Sequence, residues 1–223
     1  MTKEGSLLRI IIAVTLTLLL CFLTADSEVR CIERERQALL NFKQDLEDPS
    51  NRLASWAATA ASDEDCCDWV GVLCDNVTGH ILQLRLRSFP PPPYDEHTTG
   101  AQWKAQWQAH WKFIFGGKIN PSLLDLKHLI YLDLSYNDFG GTHIPKFLGS
   151  LGSLKYLNLS YAGFGGLIPH QLGNLSNLHY LNLGGSSYYN NLYVMNLQWL
   201  SGLPLLQHLD LSYANLSKAS YWL

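Results

Sequence analysis

Charged residues are scarce in this chain, and no strong excess of either sign is present. Of its 223 residues, 16% are charged, with 16 basic residues against 19 acidic ones and a formal net charge of −3. This balance lacks the basic footprint expected of proteins that bind nucleic acid or an anionic membrane surface. The low hydrophobicity of disordered chains is also missing, because 47% of the residues are hydrophobic. The composition therefore predicts a folded protein that does not bind nucleic acid.

The sequence also lacks the short motifs that mark common catalytic sites. It contains no GxSxG, no glycine-rich phosphate loop and no HExxH. A structural zinc site is not indicated either, since no CxxC pair with suitably spaced histidines occurs. The eight histidines are scattered, and such histidines are surface residues far more often than general bases. We therefore expect no catalytic residue, no metal and no cofactor, and predict that the protein is not an enzyme.

Long apolar runs are equally rare, and the one candidate lies at the start of the chain. The run from Ile10 to Leu23 would rise about 21 Å as a helix, short of the ~30 Å hydrocarbon core of a bilayer. Basic residues precede it, and the small residues Ala25 and Ser27 follow at the −3 and −1 positions of a cleavage site. We interpret residues 1–27 as a secretory signal peptide, with an uncleaved signal anchor as the alternative.

Cysteine usage agrees with export. Four cysteines remain after the leader, an even count that suits an oxidising compartment: Cys31, Cys66, Cys67 and Cys74. A bridge between the adjacent Cys66 and Cys67 would need a strained ring, which leaves two pairings. These are 31–66 with 67–74, or 31–67 with 66–74. Loop closure gives roughly 4 kcal/mol for the long loop and roughly 2.5 for the short one in both cases, so the residues predict two bridges without choosing between the pairings.

Four Asn-x-Ser/Thr sequons fit the same compartment. They begin at Asn76, Asn158, Asn174 and Asn215. Any one of them alone could arise by chance, but together with a leader and paired cysteines they predict N-glycosylation at these four asparagines.

Leucine dominates what the sequence does contain. It accounts for 42 residues and recurs in the phrases LIYLDLSYN, LKYLNLSYA, LHYLNLGGS and LQHLDLSYA. The units are 25, 24 and 28 residues apart, opening at Leu126, Leu151, Leu175 and Leu203. This period is typical of leucine-rich repeats, in which stacked strands bury their leucines in one continuous core. We predict an α/β solenoid, namely a leucine-rich-repeat horseshoe with parallel β-strands on the concave face and an N-terminal disulfide-bonded cap.

The chain divides into three parts. The leader at 1–27 is followed by a cap at 28–79 and by leucine-rich repeats at 80–223, about five in number with the last one truncated. In the cap, apolar residues at helical spacing predict a helix that ends at Asp48-Pro49. Two cap tryptophans, Trp56 and Trp69, are predicted to be core residues, because large rings dominate burial in a small unit.

An insert at 88–115 interrupts the first repeat. Its Trp103, Trp107 and Trp111 recur every fourth residue, which places three indoles on one stripe of a helix. We expect this stripe to pack on the flank of the first repeats, because exposed apolar patches of that size are uncommon on soluble monomers. An exposed patch that docks a partner is the alternative.

One repeat position departs from the usual pattern. The asparagine that ends LxxLxLxxN and bonds backbone groups of neighbouring turns is present as Asn137. Its equivalents in the later repeats are Ala162, Ser186 and Ala214. We therefore expect a weaker hydrogen-bond ladder after the first full repeat.

The outward positions of the predicted strands form columns across the concave face. Tyrosine is frequent there, and it offers a large contact area with a polar tip at modest entropic cost, which suits protein recognition. The alternative is that the tyrosines only cover the sheet. The candidate ligand-binding residues are Arg85, Tyr131, Asp133, Tyr136, Tyr156, Asn158, Tyr161, Tyr180, Asn182, His208, Asp210 and Tyr213.

The cap and the repeats together resemble a known family. CIERERQALLNFKQ, LASW and DCCDWVGVLCDNVTGHILQLRL are similar to the plant-type cap of extracellular leucine-rich-repeat proteins. FGGLIPHQLGNLSNLHYLNL resembles plant receptor-like proteins, especially relatives of the fungal-xylanase receptors and the Cf-type resistance proteins. The resemblance covers nearly the whole chain, and it implies the bridges Cys31–Cys66 and Cys67–Cys74.

The resemblance also implies a function. We expect the extracellular region of a cell-surface receptor-like protein in defence signalling, with a protein or peptide ligand and a separate transmembrane kinase as co-receptor or adaptor. Such a chain would enter the secretory pathway and be held at the plasma membrane only through a C-terminal segment absent here. The second hypothesis is a secreted apoplastic inhibitor of a microbial cell-wall-degrading enzyme, similar to polygalacturonase inhibitors. Because the chain stops inside a repeat, we also consider a fragment or a truncated, non-functional relative.

Overall fold

The computed structural model describes residues 29–56, 65–90, 98–185 and 191–219. The predicted signal peptide, Ser186 and the last four residues lie outside these ranges. Among the helices within them, none is long and apolar enough to cross a bilayer.

Ten short strands occur in the described residues, and six of them form the main sheet. They are β1 (Leu46–Glu47), β2 (Val72–Cys74), β3 (Ile81–Arg85), β4 (Gly116–Gly117), β5 (Tyr131–Asp133), β6 (Tyr156–Asn158), β7 (Gly165–Leu167), β8 (Tyr180–Asn182), β9 (Asn191–Tyr193) and β10 (His208–Asp210). The spatial order of the main sheet is β2, β3, β5, β6, β8, β10. Only β2 pairs antiparallel, and the four remaining pairs are parallel. The predicted parallel sheet is confirmed.

The repeated leucines form one continuous core along the sheet. Leu132, Leu157 and Leu181 lie in register on neighbouring strands and are completely buried. Burying one such side chain contributes about 1.5–3 kcal/mol relative to leaving it in water. Phe139 and Phe164 stack behind the strand ends with their ring centroids 4.8 Å apart. Each repeat therefore depends on its neighbours for burial, which is the basis of a solenoid.

In four successive repeats, the chain returns to the main sheet through a five-residue 3-10 helix. These segments are Pro121–Asp125, Lys146–Ser150, His170–Asn174 and Gln198–Gly202. Glycine at position 149 allows two of them to approach closely, because a Cβ atom there would overlap the carbonyl oxygen of Gln171. The expected short helical return is thus a 3-10 turn.

The cap helix is shorter than the sequence suggests. Helix α1 (Glu33–Gln44) ends four residues before Asp48-Pro49, the predicted end. The reason is a backbone pairing, since Leu46 and Glu47 leave the helix and bond antiparallel to Gly117 and Gly116, directly after the insert. A distant strand partner therefore overrides the local helical pattern.

The cap core holds stacked tryptophans and two bridges. Trp56 and Trp69 are 1% and 3% exposed, and their ring centroids are 5.6 Å apart, so their predicted core role is confirmed. The structure joins Cys31 to Cys66 and Cys67 to Cys74, with 5.5 Å between the Cα atoms of each pair. This is the pairing that the family resemblance implies.

Candidate ligand-binding face

A continuous stack of rings crosses the concave face. Successive ring centroids are 4.0, 4.3 and 4.2 Å apart, through Tyr131, Tyr156, Tyr180 and His208. Parallel in-register pairing sets these residues side by side on β5, β6, β8 and β10. The Arg85 guanidinium extends the stack, 5.3 Å from the Tyr131 ring centroid and within cation–π range. We call these five residues the ring ladder.

The neighbouring column does not present itself to a ligand as expected. Asp133 and Asn158 are only 5% and 7% exposed. The Oδ1 atom of each turns back and accepts the backbone N–H two residues on, from Ser135 and Ser160 at 3.0 Å. Short Asp and Asn side chains favour such local bonds at the end of a strand, and this overrides the outward direction of the strand position. The same bond recurs at Asn182 and Asp210.

This second column supports the ring ladder instead. The Nδ2 atoms of Asn158 and Asn182 each donate to the hydroxyl of the tyrosine two residues earlier, Tyr156 and Tyr180, at 3.3 Å. Burial raises the pKa of the Tyr156 hydroxyl well above its ordinary value, and the hydrogen bond that it donates to Tyr131 adds to the shift. The hydroxyls of Tyr156 and Tyr180 are therefore held in place, and Asn158 and Asn182 act as positioning residues.

A further column of tyrosines lies at the edge of the face. Tyr136, Tyr161 and Tyr213 adopt left-handed backbone conformations, with φ of 57°, 53° and 66°. The rings of Tyr136 and Tyr161 stack 4.9 Å apart, and the Arg87 guanidinium lies 5.0 Å from the Tyr136 centroid. Tyr161 and Tyr213 are 41% and 62% exposed, whereas Tyr136 is half-buried, so two of the three rings are open to solvent.

The tryptophan stripe forms a helix, but it does not pack as a whole. Helix α2 (Gly100–Trp111) begins with a capping box between Thr99 and Gln102, and none of its residues is buried. Trp103 and Trp111 are 38% and 39% exposed, whereas Trp107 is half-buried. Each step of four residues turns a side chain about 40° further around a helix, so the three indoles spread over about 80° and are not covered equally. The expected packing is therefore partial: Trp107 is half-buried, and Trp111, although exposed, lines a cavity with the repeat residues Tyr136 and Tyr161.

The aromatic helix and the edge tyrosines enclose a small cavity. It measures about 50 Å³ and is lined chiefly by Trp107, Trp111, Tyr136 and Tyr161. The Nε1 atom of Trp107 is buried and has no hydrogen-bond partner among the described residues. A buried donor normally finds an acceptor, so this indole N–H is an unsatisfied polar group of a residue that lines the cavity.

One residue of the cap forms hydrogen bonds near both ends of the insert. The Arg52 guanidinium donates to the carbonyl oxygen of Phe113 at 2.7 Å and to that of Arg87 at 2.9 Å, and it lies 4.1 Å from the Phe115 ring centroid. Ser88 donates to the same Phe113 oxygen at 3.0 Å. Sequence reasoning missed Arg52, because nothing in its local pattern indicates a contact with residues that far along the chain.

Comparison with known sequences agrees with this architecture. Residues 32–75 match the Leucine rich repeat N-terminal domain, and residues 128–151 and 153–175 match the Leucine Rich Repeat. Receptor-like protein EIX1 of Solanum lycopersicum is 40% identical over 83% of this chain. This chain belongs to the plant leucine-rich-repeat receptor-like proteins. It spans only 16% of the length of EIX1, and 12% of the length of the related EIX2, which is 42% identical over 63% of this chain.

Solved structures of plant leucine-rich-repeat proteins share the fold. A chain of the BIR3–SERK2 complex from Arabidopsis thaliana has a TM-score of 0.62 at 30% identity, with 79% of this chain and 80% of that chain covered. The BIR2 ectodomain from Arabidopsis thaliana has a TM-score of 0.63 at 26% identity, covering 81% of this chain and 80% of that one. The predicted horseshoe with a disulfide-bonded cap is thus confirmed for this receptor-like chain.

The structure separates the four predicted glycosylation sites of this receptor-like chain into two groups. Asn76, Asn174 and Asn215 are exposed, whereas the Asn158 amide is buried against Tyr156. A glycan on that amide would displace the bonds that hold the ring ladder. We therefore expect Asn158, unlike the other three, to carry no glycan in the folded, secreted protein. Intact-glycopeptide mass spectrometry tests this with Asn174 as the control, and full occupancy of Asn158 would contradict the buried placement.

Proposed function

We propose that this chain is the extracellular ligand-binding region of a plant cell-surface receptor-like protein that acts in defence signalling. The ring ladder carries the proposal. It is a row of stacked rings on the concave face, flanked by the exposed edge tyrosines. Related proteins are named as receptor-like proteins, and the solved structure of PEPR1–AtPEP1 has a TM-score of 0.62 at 27% identity with 22% of that chain covered.

The stacking supports recognition because it lowers the entropic cost of binding. A free surface tyrosine loses rotamer freedom when a partner covers it, at about 0.5–1.5 kcal/mol for each immobilised side chain. In the ladder this ordering is already present at its centre, since the rings of Tyr156 and Tyr180 each lie between two neighbours and each hydroxyl is held by an asparagine. A ligand therefore meets a rigid aromatic surface with a polar border, which is typical of protein recognition.

Positive charge at one end of the concave face would orient a bound ligand. Arg85 and Arg87, both exposed, stand beside the first rings of the ladder and of the edge column. A protein or peptide ligand with an acidic group near this end would pair with them, and charge complementarity of this kind fixes register.

The wider biological role is part of the same proposal. We propose that the protein is secreted, is held at the outer face of the plasma membrane through a C-terminal segment, has no enzymatic activity, and signals through a separate transmembrane kinase. Support comes from the related receptor-like proteins and from the BIR3–SERK2 complex, one chain of which shares this fold.

A binding measurement on the secreted chain tests the ring ladder. The probe is a purified fungal xylanase, chosen because the sequence resembles the xylanase-receptor group. We expect Tyr156→Ala to weaken binding by at least about 30-fold, because centrally placed tyrosines at interfaces are frequent hot spots worth about 2 kcal/mol or more. Tyr156→Phe, which preserves the stack, should bind within a few-fold of the wild type.

Tyr193→Ala is the matched control, since this tyrosine lies on β9 outside the main sheet. Biolayer interferometry gives the affinities, and thermal unfolding verifies that each variant is folded. Equal affinities for Tyr156→Ala and Tyr193→Ala would place the binding site outside the ladder. A wild-type chain that does not bind the xylanase would exclude that class of ligand.

A further inference from the structure

Three ligand-type side chains meet where the cap joins the repeats. Glu35 of helix α1 is only 3% exposed, and its Oε1 atom lies 2.8 Å from His80 Nδ1 and 3.8 Å from His128 Nδ1. Its other oxygen, Oε2, accepts the backbone N–H of Ile81 at 2.7 Å. The two imidazole rings stack with their centroids 3.7 Å apart. One carboxylate and two imidazoles therefore lie close together.

The geometry points to a binding site for a divalent transition metal of the zinc class, formed by Glu35, His80 and His128. One potential ligand atom from each side chain lies within 4.8 Å of the others. Ligand atoms about 2.1 Å from a tetrahedral zinc ion are about 3.4 Å apart, so small movements suffice. Two imidazoles with one carboxylate are a common zinc set, and imidazole nitrogen also suits the neighbouring late first-row metals. The sequence alone predicted no metal here.

The surroundings of the carboxylate favour this assignment. Metal-bound carboxylates are usually fixed by a hydrogen bond from outside the ligand set, and the Ile81 N–H supplies one to Glu35 Oε2. A buried carboxylate also needs positive charge or strong hydrogen bonds, and a divalent cation supplies the charge. The His128 side chain is 51% exposed, so an ion can enter from solvent and complete its coordination with water.

Metal binding would rearrange only the two histidines. The His80 Nδ1 contact with Glu35 would be exchanged for metal bonds. The stacked rings must also open so that both nitrogen lone pairs point to one ion. The half-exposed His128 can make this rotation without disturbing the buried Glu35.

The three candidate ligands belong to three separate segments of the chain, so a bound metal would link these segments. Glu35 lies in the cap helix, His80 directly precedes β3, and His128 precedes β5. A metal would therefore join the cap to the first two strands of the parallel sheet. Because the ion binds the folded arrangement, it stabilises the cap against the repeats.

Zinc titration of the secreted chain tests the site. The protein is produced with a histidine-free tag, stripped with EDTA and titrated with ZnCl2 by calorimetry. We expect one zinc ion per chain and a rise in Tm of roughly 5–10 °C at a free zinc concentration 100 times the Kd. MgCl2 should give neither effect, because magnesium prefers oxygen ligands.

Matched variants distinguish this site from adventitious histidines. His128→Ala and Glu35→Gln should each weaken zinc binding by about 100-fold or more, since each removes a ligand. The glutamine retains an acceptor for the Ile81 N–H and so protects the fold. His143→Ala, at an exposed repeat position, should bind like the wild type. Zinc binding that is unchanged in His128→Ala, or no stoichiometric binding by the wild type at micromolar zinc, would overturn the proposal.

Discussion

Asn137→Ala should lower the free energy of unfolding by about 3–5 kcal/mol. The Asn137 side chain is 4% exposed, and it both donates and accepts hydrogen bonds. Its Nδ2 donates to the carbonyl oxygens of Leu86 at 2.9 Å and Leu134 at 2.8 Å, and its Oδ1 accepts the Phe115 N–H at 2.9 Å. Alanine leaves these buried groups without partners, at about 1–3 kcal/mol each. The loss should also loosen the insert, because Phe115 is its last residue.

Urea unfolding of the variants gives the measurement. Asn177→Ala is the control, because this exposed asparagine makes a comparable 2.8 Å bond to the Gly152 carbonyl oxygen and should cost less than about 1 kcal/mol. Asn137→Asp keeps an acceptor for Phe115 but sets a buried carboxylate oxygen against the carbonyl oxygens of Leu86 and Leu134, so we expect a loss at least as large as that of the alanine variant. If Asn137→Ala and Asn177→Ala unfold at the same urea concentration, the buried network contributes no more than a surface bond.

Removal of the Cys31–Cys66 bridge should cost more stability than removal of the Cys67–Cys74 bridge. The two bridges span 35 and 7 positions of the chain. A longer loop restricts the unfolded chain more, which gives about 4 kcal/mol for the first bridge and about 2.5 for the second. Paired alanine substitutions, Cys31→Ala with Cys66→Ala and Cys67→Ala with Cys74→Ala, avoid free thiols.

Thermal and urea unfolding of the two double variants show which bridge contributes more to stability. The Cys67–Cys74 variant acts as the control for the other, since both bridges lie in the same cap and have the same Cα separation of 5.5 Å. A larger loss for the short bridge would contradict the loop-closure argument. Peptide mapping without reductant verifies that the remaining bridge has formed.

The fold was predictable because its signals are periodic and local. Alternation along LxxLxL turns Leu132, Leu157 and Leu181 inward whatever happens elsewhere, and all three are completely buried. Where a local preference competes with that alternation, the prediction fails. Asn158 occupies an outward strand position, but its side chain closes a turn with the Ser160 N–H and is buried.

Contacts between distant segments could not be predicted from one sequence. Glu35 and His80 are 45 positions apart, and neither belongs to a motif that indicates a meeting of their side chains. Arg52 likewise reaches Phe113, 61 positions away. For the four cysteines, loop-closure energies were equal for both pairings, so three-dimensional placement was required to choose. The sequence alone thus defines the periodic scaffold better than the sites built upon it.

At the three left-handed tyrosines on the edge of the concave face, the stability of the fold and the recognition of a ligand favour different residues. A side chain in this conformation costs about 1–2 kcal/mol, which glycine would avoid at Tyr136, Tyr161 and Tyr213. Replacing these tyrosines with glycine would therefore favour the stability of the fold. Each replacement would erase part of the aromatic border that we propose for recognition. Robustness and binding are therefore in trade-off at single positions of the chain.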